Sequence, residues 1–209
     1  SSALAARTGS EGAHPALRTR IDALRDRLCA ESCELYLHPA EPESGPAAAE
    51  SIELVVHARR NWSSFAVYSR GEGITGQVLA TGKDVVIEDG LAQWLHLDRT
   101  AQQAGRRRPG KYRVSQHLIA VKIPAPPLLP DAETLAPIGV LKVRDRLDSE
   151  GRSINARPFT AEDQHLVHAF AQMISMRIAI ADYAVQRRRD EMTRHRFLTH
   201  AFRHDLVGN

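Results

Sequence analysis

The first regular pattern of apolar residues along the chain is typical of an amphipathic helix. Leucine or isoleucine recurs at steps of four, three and four residues, at Leu17, Ile21, Leu24 and Leu28. Arginines and aspartates occupy most of the positions around them. Because such steps place side chains on one face of a helix, we predict a helix over residues 16–31.

Five later segments have the alternating or β-branched pattern of strands. They are "CELYLHP" (33–39), "SIELVVHARR" (51–60), "DVVIED" (84–89), "VSQHLIAVKIP" (114–124) and "APIGVLKVRDR" (136–146). A stretch rich in Pro, Ala and Glu separates the first two. We therefore expect these two strands to pair as a hairpin with a long loop.

The helical period returns after the last strand and continues almost to the end of the chain. Neither Gly nor Pro interrupts residues 159–207. Thr160 is a good N-cap, and Glu162 and Asp163 follow in the first turn, where acids suit the helix dipole. A helix over 160–207 would be roughly 70 Å long at about 1.5 Å per residue. Since that exceeds the surface of a small domain, its far half must pack on something else.

Heptad positions along this helix form a mixed seam. One seam position is held by Ile178, Val185, Met192, Thr199 and Leu206, and the other by Ala181, Arg188, His195 and Phe202. The seam is apolar at its ends and polar in the middle, which gives two helices a weak but defined register. We therefore predict a homodimer with a coiled-coil or dimerisation helix over 184–209 that signals by changing register. A plain amphipathic dimer helix is the alternative.

The stretch "YSRGEGITGQVLATGKDVVIEDG", residues 68–90, looks at first like a phosphate-binding loop. Gly71, Gly73 and Gly76 have the G-x-G-x-x-G spacing of dinucleotide-binding proteins. A short helix over 74–81 and then a strand follow, whereas nucleotide loops open a long helix. We therefore assign the glycines a structural role. The first two suit backbone angles that other residues avoid, and Gly76 lets the short helix lie close to the sheet.

Composition narrows the class of protein. The 209 residues, 43% of them hydrophobic, suffice for one domain with a full core and an appendage. The apolar runs are far shorter than the roughly 20 residues of a membrane span, and residues 1–15 resemble a disordered leader without a signal peptide, so we expect a cytoplasmic protein. A net charge of +3 is too small to indicate nucleic-acid binding. Cys29 and Cys33 are expected to be free thiols, and no metal site is predicted.

Several segments resemble the GAF domain family in their order and spacing. These are "GEGITGQVLATGKDVVIED", "LIAVKIP", "PIGVLKV" and "FTAEDQHLVHAFAQMISMRIAIA". The resemblance covers about residues 15–183 and implies a sensor domain over 16–183. It also implies an α+β fold, with a central antiparallel sheet of five to six strands flanked by helices and followed by a long C-terminal signalling helix. The first and last helices would pack together behind the sheet, and a small-molecule pocket would lie on its other side.

The chain departs from the best-marked GAF subgroups, so the ligand and any cofactor stay unknown. Cyclic-nucleotide binders carry Asn-Lys and later Phe-x-x-x-Asp-Glu, but Ala156 and Gln164 replace the lysine and the glutamate here. Bilin-binding and methionine-sulfoxide-reducing members use pocket cysteines, whereas Cys29 and Cys33 lie at the first helix and strand.

Residues 91–117 are the predicted place for a ligand, because they combine aromatic faces with polar tips. The candidates are Trp94, His96, Tyr112, Arg113 and His117. The alternatives are that Trp94 is a core residue, that the histidines are satisfied or solvated, and that one histidine ligates haem. The basic run over 106–113 is either a solvated loop, a cover over an anionic ligand, or a nucleic-acid contact. A single tyrosine makes a poor stacking platform, which disfavours the last.

The tail "FRHDLVGN" resembles the phosphoacceptor box of sensor histidine kinases, with His204, Asp205 and Leu206 in the matching order. An exposed imidazole can attack a phosphate, and an adjacent carboxylate can orient it. The segments of a kinase ATP-binding domain do not occur in the sequence. We therefore expect either a truncated sensor histidine kinase or a chain whose partner supplies the catalytic domain, with a response regulator as a further partner. The alternatives are the GAF region of a transcriptional regulator or cyclic-nucleotide signalling enzyme, and a dimerisation scaffold without ligand.

Overall fold

The computed structural model describes residues 13–38, 51–59, 67–89, 115–127, 135–152 and 157–207, the last fourteen of these by backbone alone. The helices are α1 (Ala13–Arg27), α2 (Gly73–Thr81) and α3 (Ala161–Val207). The strands are β1 (Ala30–Leu37), β2 (Ser51–Arg59), β3 (Val67–Ser69), β4 (Val85–Ile87), β5 (Leu118–Ile123) and β6 (Gly139–Arg146).

The six strands form one sheet in the order β3-β2-β1-β6-β5-β4, and each neighbouring pair is antiparallel. Strand β1 pairs with β2 as the predicted hairpin, with Cys33 opposite Ala58. On its other edge β1 pairs with β6, so that Leu35 lies opposite Leu141. The predicted α+β fold with a central antiparallel sheet is confirmed.

One face of the sheet is covered by α1 and α3 together. Buried side chains of α1, such as Ile21 and Leu24, share a core with Val167 and Ile174 of α3. Alternate residues of the central strands complete this core, among them Cys33, Leu35, Ile119, Val121, Leu141 and Val143. The two helices also touch directly, because Arg20 Nη1 lies 3.5 Å from Met173 Sδ. The expectation that the first and last helices pack behind the sheet is therefore confirmed.

The opposite face carries a second core around the short helix α2. Val78 and Leu79 of α2 pack on the alternate strand residues Tyr36, Leu118 and Val140. A β-bulge at Val55 lets β2 serve both cores: Leu35 lies opposite Val56, whereas Tyr36 lies opposite Leu54. Ile52 consequently belongs to the α2 core, whereas Val56 and Ala58 belong to the core of α1 and α3.

The glycines before α2 form the tight corner that brings this helix onto the sheet. A Cβ atom on Gly76 would overlap the backbone oxygen of Ser69, so no larger residue fits this approach. Gly71 and Gly73 have φ angles of +81° and +56°, which other residues rarely adopt. The predicted structural role of the three glycines is confirmed.

Helix α3 begins at a complete capping box and continues without a break. The Asp163 backbone N–H donates to Thr160 Oγ1 at 3.2 Å, and the Thr160 N–H donates to Asp163 Oδ2 at 2.8 Å. The helix then runs for 47 residues to Val207, as its uninterrupted sequence predicts. No helix in the described ranges is both long enough and apolar enough to cross a membrane.

Two boundaries differ from the sequence prediction. Helix α1 ends at Arg27 and not at residue 31, because Cys29 has a left-handed backbone conformation (φ 49°) that turns the chain into β1. Strand β3 was not predicted, since three residues are too few to show an alternating pattern. It pairs with the start of β2 at one edge of the sheet.

Candidate functional site

The face of the sheet that carries α2 also holds a buried cluster of charged side chains. The register of β1 and β6 places Glu34 opposite Lys142 and Ser32 opposite Arg144. Residues two apart on a strand share a face, so these charges lie on the same side as Tyr36 and the α2 core. The cluster is thus a direct result of strand pairing in the middle of the sheet.

Glu34 is the centre of this cluster. Its side chain is fully buried, with 0% exposure. Its Oε2 atom accepts a hydrogen bond from the Tyr36 hydroxyl at 2.8 Å and lies 2.8 Å from Lys142 Nζ. Its Oε1 atom lies 3.2 Å from Arg144 Nη2. One carboxylate therefore serves two cations and a phenol.

Lys142 ties the cluster to α2 and β3. The residue is 5% exposed, and Nζ donates to the Tyr36 hydroxyl and to Thr75 Oγ1, each at 3.3 Å. Nζ also lies 4.9 Å from the centre of the Tyr36 ring and 5.1 Å from that of Tyr68, within cation–π range. The two rings meet edge to face at 5.3 Å. Four elements of the fold thus converge on one ammonium group.

Arg144 is the more accessible of the two cations. Its side chain is 18% exposed, and its Nε donates to Ser32 Oγ at 3.2 Å. Burial, together with the Glu34 carboxylate, raises the pKa of Tyr36 far above its usual value. Tyr36 consequently stays a neutral hydrogen-bond donor to Glu34. Buried charges are costly for stability, so such a cluster is a candidate functional site.

Strand β6 continues from this cluster to the start of α3. Arg146, two residues after Arg144, places Nη1 2.7 Å from Asp163 Oδ2 in the capping box. Asp145 between them has a left-handed backbone (φ 54°), and its Oδ1 accepts the Gln116 N–H at 2.6 Å. The same strand therefore carries the buried Lys142 and the partly exposed Arg144 and, at its last residue, holds the first turn of the long helix.

The GAF domain model matches residues 13–178. The chain belongs to the GAF domain family. GAF is a sensory and regulatory domain that occurs in diverse proteins. No curated protein matches the chain in sequence.

Solved structures show the same GAF fold at low sequence identity. The GAF domain of an Acinetobacter phosphoenolpyruvate-protein phosphotransferase is 15% identical, with a TM-score of 0.53, over 86% of this chain and 90% of that one. The GAF region of a putative membrane protein from Geobacter sulfurreducens PCA is 12% identical, with a TM-score of 0.52, over 80% and 91%. Free methionine-R-sulfoxide reductase from Neisseria meningitidis is 17% identical, with a TM-score of 0.50, over 88% and 87%.

The ligand residues expected in this GAF domain are only partly within the described ranges. Trp94, His96, Tyr112 and Arg113 lie outside the described residues. His117 is 6% exposed and meets Phe159 edge to face, with ring centres 6.5 Å apart. Phe159 belongs to the core of α1 and α3, so the structure places His117 apart from the cluster around Glu34.

His117 is nonetheless an unusual core residue. Its Nδ1 atom is buried, and no hydrogen-bond partner is recorded for it in the described part of the chain. Burial lowers the pKa of His117, against an opposing effect of the Asp145 carboxylate. The ring is therefore neutral near pH 7.

His204, the predicted phosphoacceptor, and Asp205, predicted to orient it, lie within α3, where the structure describes the backbone. Their proposed chemistry stays a prediction. Cys33 is buried, and burial followed by the Glu34 charge raises the pKa of its thiol, whereas Cys29 is exposed. Both cysteines are free. Among the described residues no group of His, Cys, Asp or Glu side chains is arranged to hold a metal ion.

Sequence reasoning missed the charged residues of the sheet. Glu34, Lys142 and Arg144 each alternate with apolar residues on a strand, so the pattern places them on the face opposite those residues and does not show that this face is buried too. What the pattern does not contain is the pairing of β1 with β6, which brings these residues together. The charged positions in otherwise apolar strands were the available signal.

Proposed function

We propose that the chain is the sensory and dimerisation region of a signal-transduction protein, of the sensor histidine kinase class, that works in the cytoplasm. In this proposal the sensor domain spans 16–183 and the dimerisation helix 184–209. A small molecule binds on the α2 side of the sheet, and α3 carries the signal to His204. The supporting observation is that one strand, β6, contains both Lys142 of the buried cluster and Arg146 at the start of α3.

The polar cluster supports ligand sensing on energetic grounds. A sheet that needed only stability would place apolar residues at these positions, because buried ion pairs often stabilise less than hydrophobic residues of equal size. Glu34 and Lys142 lie instead among the apolar residues of the α2 core. A ligand that alters their contacts would also alter β6, and β6 holds Asp163 through Arg146.

The outward face of α3 supports a homodimer. Met176, Ile180 and Tyr183 are 42%, 60% and 67% exposed, and their steps of four and three place them on one face of the helix. Ile178, the first residue of the seam predicted from sequence, instead packs in the domain core. Within the sensor domain a second copy of this chain would therefore meet the stripe of Met176, Ile180 and Tyr183. Beyond Tyr183, the second copy would contact the later seam positions, which begin at Val185.

The length of α3 suits transmission over a distance. From Ile178 in the core to His204 the helix extends roughly 40 Å. A small rotation or shift at Asp163 would be carried along a rigid rod of this kind. The imidazole of His204 would accept a phosphoryl group from the ATP-binding domain of a kinase and pass it to a response regulator, with Asp205 orienting the ring.

Phosphotransfer tests the kinase part of the proposal. The chain would be incubated with a histidine-kinase catalytic domain and labelled ATP, as wild type, as His204→Gln and as His200→Gln. His200 is a matched control, since it lies on the same helix one turn earlier. We expect label on the wild type and on H200Q and none on H204Q. Equal label on H204Q would exclude His204 as the acceptor. A chain that no catalytic domain labels would indicate another class of GAF protein.

A further inference from the structure

We propose that the ligand of the α2 face carries an anionic group, a carboxylate or another oxyanion, which binds to the guanidinium of Arg144. The inference rests on the proposed ligand-sensing function and goes further by giving the charge of the ligand and its contact residue. It follows from three observations on Arg144: its acidic partner, its remaining donor atoms and its exposure.

The first observation is that Arg144 shares its acidic partner. Among the described residues, the only carboxylate in ion-pair contact with Arg144 is that of Glu34. Glu34 lies closer to Lys142, at 2.8 Å against 3.2 Å. The Glu34 carboxylate is thus shared between two cations in a site of low dielectric constant, where charge interactions are strong. A second negative group beside Arg144 would be favoured there.

The second observation is the direction of the hydrogen bonds. Nε of Arg144 donates to Ser32, and Nη2 faces Glu34. No atom in the described part of the chain accepts a hydrogen bond from Nη1 of Arg144. A guanidinium presents its donors as a planar fork that matches the two oxygens of a carboxylate or phosphate. One side of the Arg144 fork is therefore fixed by the protein, and Nη1 is the donor left for a ligand.

The third observation separates the roles of the two cations. Nζ of Lys142 contacts Glu34, Tyr36 and Thr75, and the residue is 5% exposed. The buried Lys142 therefore contributes positive electrostatic potential to the cluster. Arg144 is 18% exposed on its side chain and is held in place by Ser32 and Glu34. A donor that is both held and accessible is suited to bind an oxyanion without a large loss of side-chain entropy.

Binding of matched acids and amides tests the inference. The probes are inorganic phosphate, acetate, succinate and benzoate, with acetamide, succinamide and benzamide as neutral counterparts, each at constant ionic strength. Thermal unfolding of the full chain gives the affinity from the concentration dependence of Tm. The variants are Arg144→Gln and Arg144→Lys, with Arg152→Gln as the control. Arg152 is an exposed arginine in the turn that follows β6.

We expect at least one of the anions, and none of the amides, to stabilise the wild type. R144Q should weaken that binding by about tenfold or more, since hydrogen bonds to charged groups contribute that much. R144K keeps the charge but loses the fork, so its affinity should lie between those of R144Q and the wild type. R152Q should bind as the wild type does. Because R144K retains a cation beside Glu34, it keeps the test valid if R144Q unfolds.

Three results would overturn the inference: no stabilisation by any anion, equal stabilisation by the amides, or unchanged anion affinity in both Arg144 variants. Native mass spectrometry of the purified chain separates this failure from failure of the proposed function. A neutral molecule that co-purifies, or an amide that binds, would leave ligand sensing standing and exclude the anion. If no probe binds and no molecule co-purifies, both the inference and the sensing function fail.

Discussion

Arg146 Nη1 lies 2.7 Å from Asp163 Oδ2, so the last residue of β6 holds the first turn of α3. The same Asp163 oxygen accepts the N–H of Thr160 and completes the cap of that helix. The contact joins the sheet to the helix at the end of the strand that carries Lys142 and Arg144.

We expect Asp163→Ala to lower the free energy of unfolding by about 1–2 kcal/mol, because it removes both a helix cap and an ion pair. Arg146→Gln keeps the helix cap and removes the partly exposed ion pair with a long, 3.4 Å hydrogen bond to the Pro158 carbonyl, so its cost should be about 0.5–1 kcal/mol. Urea unfolding measures both. Arg187→Gln is the control, since it breaks an exposed pair with Glu191 on the same helix and should change little.

Arg146→Gln also tests whether the buried cluster is coupled to α3. Arg146→Gln should leave the affinity for an anion at Arg144 unchanged and should reduce the effect of that anion on α3. Amide hydrogen exchange of the first turns of α3, with and without the anion, measures this effect. If R146Q and wild type show the same ligand-dependent protection, the signal does not pass through the contact of Arg146 with Asp163.

The pair of Glu34 and Lys142 should behave as a buried ion pair. Glu34→Gln should lower the free energy of unfolding by about 3–5 kcal/mol, because it removes the carboxylate that lies against the buried Lys142 ammonium. Lys142→Met should cost less, because Arg144 stays 3.2 Å from the Glu34 carboxylate. The double variant should lose less than the sum, with a coupling energy of at least about 1 kcal/mol. Additive losses would show that the contact contributes no coupling.

The pattern of the sequence was sufficient for most of the fold and for little of the site. Helix α3 and the central strands follow from long, uninterrupted periods, and Gly76 marked the corner at α2. The cluster could not be predicted, because Glu34 and Lys142 are far apart in sequence and meet through the register of β1 with β6. Local periodicity gives the face of each residue and leaves its partner on the neighbouring strand open.

For His117, too, the sequence leaves the tertiary environment of the side chain open. Its aromatic ring and titratable nitrogens predict a ligand contact, which stays a prediction, and these properties suit a core position equally well. Its place next to Phe159 depends on where α3 begins relative to β5, which is a tertiary relationship. The first helix likewise ended early because of the backbone at Cys29, which its residue type does not reveal.

Gly76 and Gly71 are glycines for different physical reasons: lack of space for a Cβ atom at Gly76 and backbone conformation at Gly71. Gly76→Ala should lower the free energy of unfolding by about 2–3 kcal/mol, because its Cβ would overlap the Ser69 backbone oxygen. Gly71→Ala should cost only about 1 kcal/mol, since its Cβ meets nothing within 4 Å and only its φ of +81° is unfavourable. Chemical denaturation of both variants measures the difference. Equal losses would mean that backbone conformation alone selects glycine here.

A matched pair of variants distinguishes the two possible dimer faces of α3. Ile180→Glu adds a charge to the exposed stripe with Met176 and Tyr183, and should convert a dimer into a monomer. Ala181→Glu adds the same residue to an exposed position of the seam predicted from sequence, and should leave the dimer intact. Light scattering after size-exclusion chromatography gives the mass of each. A dimer in I180E and a monomer in A181E would reverse the assignment.

The buried His117 should make stability fall in mild acid. Burial lowers its pKa in the folded chain below the ordinary value of 6.5, so the unfolded chain binds a proton first as the pH decreases. This contribution to stability is complete above about pH 6.5 and is lost as the pH falls below it towards the folded-state pKa. His117→Leu removes the titrating group and its Nδ1 atom, which has no hydrogen-bond partner among the described residues. It should flatten the decline in the free energy of unfolding between about pH 7 and 5.

The control for this titration is His168→Gln, which removes a partly exposed histidine that lies 3.6 Å from Asp84 and leaves His117 in place. The groups that act on His117 are the carboxylates of Asp145 and Asp89, which raise its pKa, and Arg146, which lowers it. Urea unfolding at several pH values gives the slope for each protein. The slope of the free energy of unfolding against pH measures the protons taken up on unfolding. H168Q should therefore keep the contribution of His117 to this slope, which H117L loses. Parallel curves for wild type and H117L would show that the folded chain accommodates the imidazolium without cost.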